Sequence, residues 1–167
     1  MPRIQSLDQF WIRYLSEHRA PRSRMLHFLG TSLFFCAVGV SVITHPVVFP
    51  AVMAGVVGLA WWGATRVEPR QAAFVPMLAM IALASLASPL WVPLGVSLAY
   101  AAAWVGHFRI ENNRPATFQY PIWSLLCDLR MWGEMARGRL WSGDPLDELG
   151  LRGPSDGSFP SYPPASL

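Results

Sequence analysis

The sequence predicts an all-α protein: a four-span transmembrane helical bundle with cytoplasmic N- and C-termini and flanking interfacial amphipathic helices. Three observations predict it. The 167-residue chain carries 13 basic and 10 acidic side chains, yet the 41 residues from Met25 to Thr65 contain no charge, and neither do the 38 from Gln71 to Phe108. About 20 apolar residues span a bilayer, so each run has the length for two passes. The arginines beside the runs all fall on one side of such a bundle, while the opposite turns, His45-Pro46 and Ser88-Pro89, have none. Arginine is retained on the cytoplasmic side, which sets the orientation.

Each element follows from local pattern. Residues 4–19 read as a short amphipathic helix, since Ile4, Leu7, Phe10, Trp11, Tyr14 and Leu15 recur at helical spacing. Pro21 ends it, because the residue before a proline is pushed out of the helical region. The first span is expected at about 25–44, the second at 47–64, the third at 72–87 and the fourth at 90–108. Trp61, Trp62 and Trp104 sit at cytoplasmic span ends, where an amphipathic ring belongs. Pro121 opens a further helix over 121–140. Its apolar stripe is Leu125, Leu129, Trp132, Ala136 and Leu140, with Arg130, Glu134 and Arg137 facing away, as expected of a helix lying on the cytoplasmic leaflet. Residues 1–142 therefore form one integral-membrane domain. From Gly143 onward Pro, Gly, Ser and Asp dominate, and 143–167 reads as a disordered tail.

Composition excludes several classes. The net charge of +3 is wholly arginine, scattered over short loops with no basic stripe, so nucleic acid is not an expected partner. Cys36 and Cys127 form no metal or redox spacing. Residues 1–20 carry Asp8 and Glu17 and lack a compact apolar stretch, so they do not read as a signal peptide. The spans contain no Asp, Glu, Lys or Arg in their interiors, against a path for polar solutes. Oligomeric state stays open, and an oligomer is compatible with the pattern.

The chemistry is expected of the histidines. There are four: His18, His27, His45 and His107. His18, His27 and His107 fall at the cytoplasmic edge, whereas His45 lies 18 residues beyond His27, about 27 Å along a helix, at the other face. Pro21 allows a turn that folds His18 back over the first span. Glu111 follows His107 by four residues, on the same helical face, and a carboxylate at the hydrocarbon edge needs a partner or a metal. Three imidazoles and a carboxylate suit Fe(II), Zn or Mn. Arg109 and Arg114 either bind an anionic head group or simply obey the positive-inside bias. Non-enzymatic alternatives are a lipid-binding protein or a haem- or quinone-binding one.

Tyr14-x3-His18, His27-x2-Gly30 and Trp104-x-Gly106-His107-x3-Glu111 with Arg114-Pro115-Ala116 together resemble the membrane-embedded 2-hydroxy fatty acid dioxygenases, iron-dependent α-oxidation enzymes of fungi with bacterial relatives. The resemblance runs over about residues 8–140, and the Gly-His-x3-Glu-x2-Arg-Pro-Ala segment is its specific part. It implies Fe(2+), with His18, His27 and His107 as ligands and Glu111 as the motif carboxylate. It also implies O2 as co-substrate and a 2-hydroxy fatty acid as the lipid substrate, shortened by one carbon with release of its carboxyl carbon as CO2. Tyr14, Arg109 and Arg114 are the expected substrate-binding residues. The implied location is the membrane, in a bacterial cell the inner, cytoplasmic membrane.

Overall fold

A computed structural model describes residues 3–151. The described chain is all-helical: α1 Leu7–Ser16, α2 Pro21–Thr44, α3 Val48–Trp62, α4 Phe74–Ala87, α5 Trp91–Val105, α6 Pro121–Ala136 and α7 Pro145–Glu148. Two π-helical turns continue α3 and α5, over Gly63–Val67 and Gly106–Glu111, and a 3-10 turn covers Ala116–Phe118.

Helices α2 to α5 run up and down in two closely packed pairs, α2 with α5 and α3 with α4. Small residues draw the first pair together. A Cβ added at Gly30 would lie 3.0 Å from the Ala102 Cβ and 3.1 Å from the Ala99 Cα, and one at Gly95 would lie 2.7 Å from the Ala37 Cβ. At the far end the Ser41 hydroxyl donates to Ser88 across 2.8 Å, joining the end of α2 to the turn before α5. His45 is exposed beside that turn, at the end of α2 opposite His27.

The sequence expectation of four full spans is corrected to two. Pro21–Thr44, with 24 residues, and Val48–Val67, with 20, are long and apolar enough to cross a membrane. Helix α4 has 14 residues and α5 has 15. At 1.5 Å per residue these reach only about 21–23 Å against a hydrocarbon core of about 30 Å. In α5 the remaining length is the π turn, which carries His107, Arg109 and Glu111. Helix α2 starts at Pro21, four residues before the expected span, because proline is pre-organised for the first helical position.

Helices α1 and α6 do not lie separately on a surface. Phe10, Trp11, Tyr14 and Leu15 of α1 pack on Trp123, Cys127, Met131 and Met135 of α6 in one core with Tyr120 and Leu140. This corrects the expected apolar stripe. The buried face of α6 is the 123/127/131/135 row, while Leu125, Leu129 and Trp132 are half-buried and Ala136 is exposed. Helix α1 is also shorter than expected, because Ser6 caps it by accepting from the Gln9 N–H at 3.3 Å. The expected tail is folded as far as residue 151. Asp144 caps α7, Pro145 opens it, and Leu146, Leu149 and Leu151 pack against the α1–α6 core. Residues 152–167, the rest of that tail, lie outside the described residues.

A carboxylate from a distant segment closes the start of α6, which lacks a side-chain cap of its own. Glu68 is fully buried and its Oε2 accepts the Ile122 N–H of α6 at 3.0 Å, while Arg3 donates to the Glu68 carbonyl. Glu148 accepts the Leu140 N–H at 2.7 Å. Burial pushes the Glu68 carboxyl up to about 7, against the hydrogen bond that favours its charge.

Candidate metal centre

Three histidines meet at the end of the bundle where α1 and α6 cover it. His18 stands in the link between α1 and α2, His27 lies nearly two turns inside α2, and His107 is in the π turn after α5. Their ring centroids are 4.6, 4.7 and 5.2 Å apart. One ring nitrogen from each lies within 4.8 Å of the other two, and all three residues are buried. The expected fold-back at Pro21 is what brings His18 over α2.

The other ring nitrogens show how the rings are held. His18 Nδ1 faces the Tyr14 carbonyl at 2.6 Å, and a carbonyl only accepts. His107 Nδ1 faces Asn113 Oδ1 at 2.7 Å, and the Asn113 amide is oriented because its Nδ2 donates to the Glu17 carbonyl at 2.7 Å. His27 Nδ1 faces Asp128 Oδ1 at 2.6 Å. Each Nδ1 therefore carries a proton, which leaves each Nε2 as the ring atom able to ligate. The Nε2 atoms of His18 and His27 are buried without a hydrogen-bond partner among the described residues. Burial, with the neighbouring His27 and His107 rings, holds His18 well below the usual imidazole range, so it is neutral and able to ligate. Buried lone pairs converging with no partner are costly unless something occupies the point between them. The residues fit a first-row transition metal, with three imidazoles on one side and open positions on the other.

Those open positions face a cleft lined by Tyr14, Thr31, Tyr100, Trp104, Ser124 and Asp128. Asp128 is its hub. Besides His27 it accepts from the Tyr14 hydroxyl at 3.0 Å and from the Thr31 hydroxyl. Burial would raise the Asp128 carboxyl, but the hydrogen bonds from His27, Thr31 and Tyr14 together outweigh it and hold it below the usual carboxylate range. It stays ionised and keeps His27 in its ligating tautomer.

Sequence reasoning had placed Asp128 in a surface helix and missed it, along with Asn113. A signal existed: Asp128 is the single charged residue between Arg114 and Arg130. Arg24 was also read only as a positive-inside charge. It is fully buried, and its guanidinium donates to the carbonyls of His18, Arg19, Leu140, Ser142 and Gly143 at 2.7–3.2 Å.

Other expected site residues lie elsewhere. Glu111 is not among the converging groups. Its Oε1 accepts the Ala20 N–H at 2.9 Å, closing the start of α2, where Ala20 has no capping side chain and Pro21 no N–H. The unsatisfied start of a helix competes well for a carboxylate. Arg109 and Arg114 are exposed and do not line the cleft. Tyr14 lines the cleft, and its ring stacks on His18 with centroids 4.1 Å apart.

A protein-family model described as 2-hydroxy-palmitic acid dioxygenase Mpo1-like matches residues 4–140. No curated protein and no solved structure matches the chain. The matched stretch runs from before α1 to beyond α6 and takes in the three histidines, Asn113 and Asp128, and a match over that much of its length makes the chain a member of the Mpo1-like family.

Proposed function

We propose that the chain is an iron(II)-dependent dioxygenase that shortens a 2-hydroxy fatty acid by one carbon. One substrate molecule and one O2 would give the shortened fatty acid, CO2 and water. The observation that carries this reading is the convergence of three buried imidazoles, each fixed by a partner on Nδ1, two of which, His27 and His107, line a cleft. His18, His27 and His107 would hold the metal. Bound iron(II) would supply the one-electron chemistry that O2 needs to react with a closed-shell organic acid. Zinc would fit the same nitrogens but has no accessible change of oxidation state and would leave that oxidation to be explained, whereas manganese would fit and could supply it.

The chain's own residues do the remaining work. Asp128 and Asn113 orient His27 and His107, and the Tyr14 carbonyl orients His18. Arg109 and Arg114 are proposed as the cationic groups that draw an anionic head group to this end of the molecule, and Tyr14 as a wall of its site. Glu111 holds the link that carries His18 against the start of α2. The imidazoles are 4.6–5.2 Å apart, too close for a porphyrin to stand between them, which disfavours the haem alternative.

The setting is a membrane, in a bacterial cell the inner membrane. Supporting this are the two long apolar helices and a bundle surface of exposed Ile43, Val47, Val57, Val75 and Leu86. The arginines gather with α1, α6 and the histidines, consistent with both termini and the metal centre being cytoplasmic. The deciding experiment is metal analysis of anaerobically purified protein, followed by product analysis with a 2-hydroxy fatty acid under O2. Stoichiometric iron and a product one carbon shorter are expected. Iron-free protein that still forms the product, or iron-loaded protein that forms none, overturns the reading.

A further inference from the structure

The two helix pairs pack closely within themselves but lightly against each other, and a second, partly open cavity runs between them. It shares Thr31, Ala99, Tyr100, Leu125 and Asp128 with the metal cleft, so the two spaces adjoin. The polar residues in its lining, Thr31, Tyr100 and Asp128, are all at the metal end. The rest is aliphatic, aromatic or methionine, contributed by α2, α3, α4, α5 and α6. It ends at Phe49, Ala84 and Val92, each buried beside the far turns. From Tyr100 to Val92 is eight residues of α5, about 12 Å of depth.

A furrow that is polar at one end and wholly apolar beyond matches a molecule of the same pattern. We infer that it holds the alkyl chain of the substrate, with the chain entering past Tyr100 and its methyl end meeting Phe49, Ala84 and Val92, which set the longest chain accepted. This rests on the dioxygenase reading for the head group only; the tail site depends on shape and polarity. No hydrogen bond engages the Tyr100 hydroxyl among the described residues, and it stands at the boundary of the two spaces. A carboxylate or hydroxyl passing that boundary would find it available.

The test uses purified full-length protein and a series of saturated 2-hydroxy fatty acids of increasing length, scored by binding with and without metal and by product formation. Ala84→Phe fills the far end and is expected to weaken binding of the longest accepted chain by about tenfold for each methylene excluded. Phe49→Ala deepens it and is expected to shift preference to longer chains. A fatty acid carrying a terminal alkyl diazirine should label wild-type protein at the far ends of α3, α4 or α5. A chain-length profile unchanged in both variants, or labelling confined to the outer surface or to α1 and α6, overturns the inference. If Ala84→Phe does not fold, the opposite shift in Phe49→Ala and the wild-type label still decide. Failure of the dioxygenase reading is distinct: product is then absent while chain-length-dependent binding survives in metal-free protein.

Discussion

The α2–α5 pair and the α3–α4 pair are built from similar apolar sequence, yet only the first carries converging histidines. Gly30, Gly95, Ala37, Ala99 and Ala102 let α2 and α5 approach until backbone meets backbone, which fixes His27 and His107 at a small separation. In α3, Gly55 and Gly58 have nothing within 4 Å of an added Cβ. Methionines and valines fill the inner face of the second pair instead, and the furrow follows. Close approach makes a rigid site, and the bulkier inner face of the second pair leaves the furrow between the two pairs. A shared composition therefore supports two different jobs, decided by where the small residues face.

The comparison breaks most completely if the ligand pair is removed. His107→Ala or His27→Ala is expected to lower bound iron at least 100-fold at equal protein, measured by elemental analysis, since neither remaining pair would hold it tightly. His45→Ala, at the opposite turn, should leave iron content at the wild-type level. Next in size is the carboxylate behind the ligand. Asp128→Asn should reduce metal affinity or turnover by roughly 10–100-fold, the usual consequence of losing the partner that orients a ligating imidazole. A competition titration with a chelator reads this directly, and wild-type affinity in the variant would show that Asp128 does not orient His27.

A smaller effect sharpens the packing difference itself. Gly30→Leu must displace the backbone of α5 and is expected to cost about 1–3 kcal/mol, read as a lower Tm in detergent. Gly58→Leu meets open space on α3 and should be within about 0.5 kcal/mol of wild type. Equal losses at the two positions would remove the distinction between the pairs.

The smallest effect concerns pH. The Glu68 carboxyl rises from 4.5 unfolded to about 7 folded, so the folded state keeps a proton that the unfolded chain releases. The stability contributed by that proton is complete below 4.5 and is lost as pH rises through about 7. Glu68→Gln should flatten this part of the Tm-against-pH curve, and an unchanged slope would show that Glu68 does not supply it.

Much of the site was legible because the chemistry is sparse. With four histidines and one break at Pro21, the order of apolar runs sorts three to one end. The helical class and the starts at Pro21 and Pro121 were equally open to reading, since charge-free runs and first-turn prolines are local features. What failed was long-range. Whether α4 and α5 cross alone depends on the lengths left after Pro89 and the π turn, and a π turn has no clear sequence mark. Glu111 fitted helical spacing to His107, but the uncapped start of α2, more than 90 residues away, claimed it. Asp128 lies on α6 where the stripe of Leu125, Leu129 and Trp132 pointed outward, and only the docking of α1 and α2 reveals what it serves.

Arg24 carries a consequence for the order in which this protein is made. Its guanidinium joins the carbonyls beside His18 to those of residues 140–143, so the first histidine in the chain is secured by some of the last residues of the described fold. During synthesis α2 and α3 emerge and can insert long before that segment leaves the ribosome. The pocket is finished only afterwards, when the chain folds back on its own beginning. On the proposed metal reading, loading would then be a closing event in biogenesis, and chains released short of residue 140 should be unable to hold the ion.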